Sequence, residues 1–145
     1  MRRVNLLAPE LDLSSERDGY RWRGASVGRA LGADEIGACL YELDDGQRSY
    51  PYHFHHAMEE WLIVVSGAPT MRTPGGERVL SEGDVVCFPA GPEGGHQVTG
   101  PGTVLILSDN RAPELVEYPD SGKLGVGPAG KVFRLADAVD FWDGE

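Results

Sequence analysis

The most constraining feature of this chain is a pair of imidazoles running into an apolar strand. Pro51 to Gly67 reads PYHFHHAMEEWLIVVSG. His53 and His55 are two residues apart, so in an extended segment both side chains leave the same face. After a short polar break come Glu59 and Glu60, then the run Trp61 to Val65, whose β-branched and aromatic residues suit a strand. Two neutral nitrogen donors and an anionic oxygen on neighbouring strands are a donor set that a divalent cation takes. His96 lies outside this stretch and follows Gly94-Gly95. Two residues without side chains let the chain bend tightly and carry an imidazole inward.

Around this stretch, 20 glycines and 10 prolines divide the 145 residues into short runs of Val, Ile, Leu, Tyr and Phe. That punctuation predicts an all-β antiparallel sandwich or barrel rather than βαβ units. Strands are expected over 36–43, 48–54, 60–66, 70–73, 77–80, 85–88, 96–99 and 103–108, with 60–66 pairing against 48–54. Residues 1–19 read as a polar extension, 20–22 as a first strand or hairpin arm, and 28–34 as a loop. In the tail, 113–118 and 131–134 have strand character, and Leu135, Val139 and Trp142 would share a face if the end were helical. The length suits one domain over 1–145, with a core at 36–108 between an N-terminal extension (1–35) and a C-terminal one (109–145).

Charge narrows the function classes. Thirteen basic and 23 acidic side chains give a formal net charge of −10. Such a surface is repelled by nucleic-acid phosphates and anionic lipid, so no nucleic acid and no membrane is expected as a partner. The start, MRRVNLLAPELDLSSE, has no apolar core of signal-peptide length, and no later stretch is long and apolar enough for a spanning helix; a cytoplasmic location is the expectation. Cys39 and Cys87 sit in apolar runs without CxxC spacing and are expected as buried, reduced thiols.

With His53, His55, Glu60 and His96 taken together, the chain resembles the cupin superfamily, whose two motifs are G-x5-HxH-x3/4-E-x6-G and G-x5-PxG-x2-H-x3-N. Here four residues separate His55 from Glu60, six separate Glu60 from Gly67, five separate Gly83 from Pro89, and fifteen lie between Gly67 and Gly83. Three departures stand out. Gly46 is one residue further from His53 than the motif has it, four residues instead of two separate Gly91 from His96, and Gly100 stands where the family has asparagine. The stretches FPAGPEGGHQV, EYPDSGK and VDFWDGE are also similar to a group of small bacterial single-domain cupins without a settled activity. The resemblance implies a cupin-like double-stranded β-helix, a jelly roll of six to eight strands. It also implies one divalent metal ion (Zn, Mn, Fe or Ni) held by His53, His55, Glu60 and His96.

Glu60 is preferred over Glu59 by counting back from Gly67, which leaves Glu59 as a turn residue or a partner behind the ligands. His56 is out of phase with the other two and is expected at the surface. Tyr41, Arg72 and Gln97 are pocket candidates; Arg72 could clamp a carboxylate or phosphate, or simply be a surface arginine. If Glu60, Leu62 and Val64 face inward, Trp61, Ile63 and Val65 make an apolar outer stripe, which calls for cover by a second subunit, as a homodimer, or by the terminal extensions. Two functions follow. The first is a metal-dependent isomerase, decarboxylase or dioxygenase acting on a small anionic or polyhydroxylated molecule, a sugar-phosphate isomerase for example. The second is a non-catalytic cupin that binds or senses a small ligand. Fold analogy does not choose between them.

Overall fold

The structure is a computed structural model that describes all residues, 1–145. The chain opens with a hairpin of β1 (Leu13–Arg17) and β2 (Tyr20–Ala25), then a short helix α1 (Val27–Leu31) where a loop was expected. Val27 is buried, so packing overrides the weak local preference of a five-residue helix. There follow β3 (Ile36–Leu43), β4 (Phe54–His55), β5 (Glu60–Gly67), β6 (Thr70–Thr73), β7 (Gly76–Val79) and β8 (Val85–Phe88). The remainder holds β9 (Gln97–Thr99), β10 (Gly102–Asp109), β11 (Glu114–Tyr118), β12 (Lys123–Gly127) and β13 (Lys131–Arg134).

The strands build three antiparallel sheets. The largest has the order β1-β2-β3-β10-β5-β8, the second β13-β12-β11-β4, and the third β7-β6-β9. Leu62, Val64, Val104 and Ile106 on the inner face of the large sheet meet Met71 and Val98 from the smallest sheet, and with Tyr41, Leu43, Leu80 and Phe88 they form the main core. A second cluster lies on the outer face of the large sheet. There Ala25, Val27, Leu40 and Leu105 pack with Val4, Leu6, Ile63 and Val65. Part of the outer stripe is therefore covered by the N-terminal extension, while Trp61 stays 44% exposed. Gly67 ends β5 at φ +84°, and a Cβ there would stand 2.7 Å from the Gly102 Cα, so both backbone twist and close approach select glycine.

Several expectations are corrected. Of the 48–54 segment only Phe54 joins a ladder, together with His55 just beyond it; Pro51 in its middle has no N–H to donate. The approach to it is held by isolated bridges, Arg48 to Thr99 and His53 to His96. β4 pairs with β11, and β5 lies between β10 and β8, so 60–66 does not pair with 48–54. β12 went unanticipated because its sequence, KLGVG, carries two glycines and little alternation. After β13 the chain makes only a 3-10 turn, Leu135–Asp137, in place of a helix. The strand number exceeds six to eight because both extensions add strands. Cys39 is half-buried and Cys87 exposed, both as free thiols.

Leu62 is fully buried on β5, two residues from Glu60. Leu62→Ala is expected to cost about 2–5 kcal/mol through lost burial and the cavity left behind. A lowered denaturant midpoint with unchanged slope is the measurement that checks it.

Candidate metal centre

The three relevant histidines arrive from two strand ends that face each other. Backbone N–H groups of His53 and His96 each donate to the other's carbonyl, at 3.1 and 2.9 Å, which brings the two rings to 4.6 Å between centroids. The Gly94-Gly95 pair does what its sequence suggests. A Cβ on Gly94 would collide with the Pro89 carbonyl, and one on Gly95 would stand 2.5 Å from the Tyr52 hydroxyl. The longer loop before His96 is taken up by a 3-10 turn, Pro92–Gly94. Phe88 stacks flat under the His96 ring at 3.8 Å, and Tyr118 stacks on His53 at 5.9 Å.

Each ring has one nitrogen fixed by an acceptor. His53 Nδ1–H donates to the Pro51 carbonyl at 2.8 Å, and His96 Nδ1–H to the Gly94 carbonyl at 2.9 Å. His55 Nδ1–H donates to Glu114 Oε1 at 3.1 Å. These acceptors assign the tautomer: in the neutral rings the proton sits on Nδ1 and a lone pair is left on Nε2. All three Nε2 atoms face one oxygen, Glu60 Oε2, at 3.2 Å from His55, 3.2 Å from His96 and 3.9 Å from His53. His53, Glu60 and His96 offer donor atoms within 4.8 Å of one another. His55 stands outside that trio but shares the same carboxylate oxygen. The Nε2 atoms of His55 and His96 are buried and make no well-angled hydrogen bond.

Lone pairs facing a carboxylate across such distances repel unless a proton or a cation lies between them. Burial alone would raise the Glu60 carboxyl, but the imidazoles of His55 and His96 outweigh it and hold Glu60 well below the usual carboxylate range. Burial, reinforced by the neighbouring His96, pushes His53 down to about 4. Burial acts the same way on His55, yet Glu60 and then Glu114 override it and raise His55 above its ordinary value. The arrangement therefore draws positive charge toward the space beside Glu60 Oε2.

Glu114 is the main residue that sequence reasoning missed. It is 6% exposed, on β11 in the C-terminal extension, and it also accepts the His56 backbone N–H at 3.2 Å. The signal was 59 residues from His55 and belonged to a segment read only as a tail strand. Tyr50 was missed too. Its hydroxyl lies 3.3 Å from that of Tyr41, and its ring lies 6.4 Å from His53. Tyr41 itself is inward and buried. Glu59 is turned away from the ligands: as the strand neighbour of inward Glu60 it leaves the opposite face, where it accepts the Trp61 indole N–H at 2.7 Å. Arg72, beside inward Met71, is held in two hydrogen bonds by Asp120 at 2.6 and 2.9 Å and lies over the Tyr52 ring, so it is no free clamp. Gln97 donates to the Tyr50 carbonyl at 3.0 Å. His56 is exposed and paired with Glu117 at 3.2 Å.

In the metal-free protein, imidazole resonances followed by NMR should show His53 neutral down to about pH 4 and His55 still protonated above the ordinary imidazole range. Unfolded His53 takes up its proton near 6.5 while the folded residue does not until about 4, so this residue makes the metal-free fold less stable as pH falls through that window.

Comparison with known proteins agrees with this fold. The family profile described as cupin domain matches residues 39–108. A proposed sugar phosphate isomerase from Acidithiobacillus ferrooxidans has a similar structure, at 26% identity and TM-score 0.78, over 90% of this chain and 87% of that one. A sugar phosphate isomerase of the cupin superfamily from Silicibacter pomeroyi superposes with TM-score 0.81 at 24% identity, over 97% of this chain and 98% of that one. The polyketide cyclase RemF from Streptomyces resistomycificus shares the fold at 23% identity and TM-score 0.59, over 79% of this chain and 83% of that one. A search of curated protein sequences finds no match. The matched domain, the antiparallel sheets and these neighbours together make the chain a member of the cupin superfamily.

Proposed function

We propose that the chain is a metal-dependent cupin enzyme in which His53, His55, Glu60 and His96 hold one divalent ion, acting on a small polyhydroxylated anion in a reaction of the sugar-phosphate isomerase type. One observation carries the metal: three Nε2 lone pairs are aimed at a single carboxylate oxygen while every Nδ1 is tied elsewhere. Three imidazoles and one carboxylate leave such an ion with a net charge near +1 and, in an octahedral set, room for two oxygens of a ligand. A bound divalent ion would supply Lewis acidity to a carbonyl or hydroxyl oxygen. Support for the reaction class comes from the relative from Acidithiobacillus ferrooxidans, which covers nearly the whole chain. Burial raises both Tyr41 and Tyr50 above the ordinary phenol range, so their hydroxyls stay protonated and Tyr50 can donate to a ligand oxygen next to His53.

Metal analysis of the purified protein should give close to one ion per chain, lost in His53→Ala. Glu114→Ala, which frees the ring of His55, should weaken metal binding by about 10–100-fold. Affinity should rise with pH as His55 gives up its raised proton, the ion and the proton competing for the same nitrogen. A protein that stays metal-free in supplemented medium, or that binds ligands tightly without turning over any sugar phosphate, would overturn the enzyme reading.

We also infer a homodimer. Val132, Phe133, Leu135, Val139, Phe141 and Trp142 are all exposed at the C-terminus, and Ile36, Trp61 and Val85 are exposed on the outer face of the large sheet. Together they present on the order of 1,000 Å² of residue surface per chain, against about 800 Å² per partner in a stable interface. A second copy offers both surfaces at once in a two-fold arrangement. Light scattering at micromolar concentration should find a dimer, and Phe141→Asp with Trp142→Asp should give a folded monomer. A wild-type monomer, or a double variant that stays dimeric, would refute this.

A further inference from the structure

Segments from both sides of the matched cupin domain meet above the strand that carries His53. Ser15, Arg17, Tyr20 and Trp22 of the N-terminal hairpin and Asp120, Ser121 and Lys123 of the C-terminal extension meet residues 49–52 and Gln97 around a partly open cavity of about 450 Å³. That is within the range of small-molecule sites. The cavity adjoins the metal centre through its floor. Pro51 supplies the carbonyl that fixes His53, and Tyr50 lines the cavity while its hydroxyl reaches the buried Tyr41. On the other side Lys123 Nζ stands 5.4 Å over the Tyr118 ring, which itself stacks on His53.

The lining has a definite chemistry. Tyr20, Trp22, Tyr50 and Tyr52 give flat aromatic faces, and Ser15, Ser49 and Ser121 add hydroxyls. Arg17 and Lys123 make no ion pair, whereas the single carboxylate, Asp120, is neutralised by Arg72 at 2.6 Å. Two unpaired cations on a hydroxyl-rich wall go against the −10 charge of the whole chain.

We infer that this cavity binds a sugar phosphate, with the phosphoryl group at Arg17 and Lys123 and the hydroxylated carbons lying across Tyr50 toward His53. The cations meet phosphate oxygens by charge-assisted hydrogen bonds, and the aromatic faces pack against the ligand's C–H groups. The direction assigned to the carbon chain rests on the metal-centre reading; the anion site itself does not.

Ribose 5-phosphate and ribose can be titrated by calorimetry into metal-loaded and metal-free protein. The phosphorylated sugar should bind about ten-fold more tightly or better in both forms. In the double variant Arg17→Met with Lys123→Met that preference should vanish, with ribose binding and metal content unchanged. Equal affinities in the wild type, no binding of the phosphate, or a preference that survives in the double variant would each overturn the assignment. His53→Ala separates the two ideas: it should lose the metal and keep the phosphate preference, so failure of the metal centre and failure of the anion site give different results.

Discussion

One carboxylate oxygen is the point on which this structure turns. Glu60 Oε2 is approached by three imidazole nitrogens, none of which can satisfy it while neutral, because each ring has already committed its N–H elsewhere. A folded chain retains such an arrangement of like acceptors only if something positive resolves it. A proton on His55 can do so in part, which is why that residue holds its proton beyond the ordinary value. It leaves His53 and His96 unanswered, and His53 is too buried to take a proton of its own near neutrality. The divalent cation we propose would answer all four groups together.

The fold makes that convergence possible by bringing all three sheets to one place. Glu60 is on the large sheet, His55 on the four-stranded sheet, and His96 immediately before β9 of the smallest, with His53 bridged to it. Rigid strand ends, not flexible loops, set most of the donor positions, and Phe88 and Tyr118 restrict the rings further by stacking. Glu114 completes the set by orienting His55 from the far side. The orientation of one donor is thus entrusted to a segment outside the matched cupin domain.

What the sequence made legible follows from local periodicity. Ile36–Leu43, Thr70–Thr73, Val85–Phe88 and Lys131–Arg134 form strands over the bounds their patterns indicate. The inward turn of Glu60, Leu62 and Val64 is fixed by alternation against a buried face. Pairing partners were not legible, since β4 finds β11 across some sixty residues and no short-range signal announces it. For the same reason Glu114 and Tyr50 went unseen as neighbours of the histidines. Glu59 and Arg72 each stand next to an inward residue and so point out, by the same alternation that turns Glu60 inward.

Beyond the contact of Glu114 with His55, the two extensions build the wall of the cavity beside that centre. Trp22 and Arg17 at one end, and Ser121 and Lys123 at the other, reach the cavity only because β2 pairs with β3 and β12 with β11. Residues 39–108 carry the four convergent side chains, while most of the cavity wall lies outside that domain. The charge pattern points the same way. A chain with a net charge of −10 would repel an anionic ligand from most directions, yet the wall beside His53 leaves Arg17 and Lys123 free and neutralises Asp120. Long-range repulsion of this kind is screened within about 8–10 Å at physiological salt, whereas two cations inside a partly enclosed cavity act at contact distance. That local field supports the proposed ligand, with an anion at one end and hydroxyls at the other.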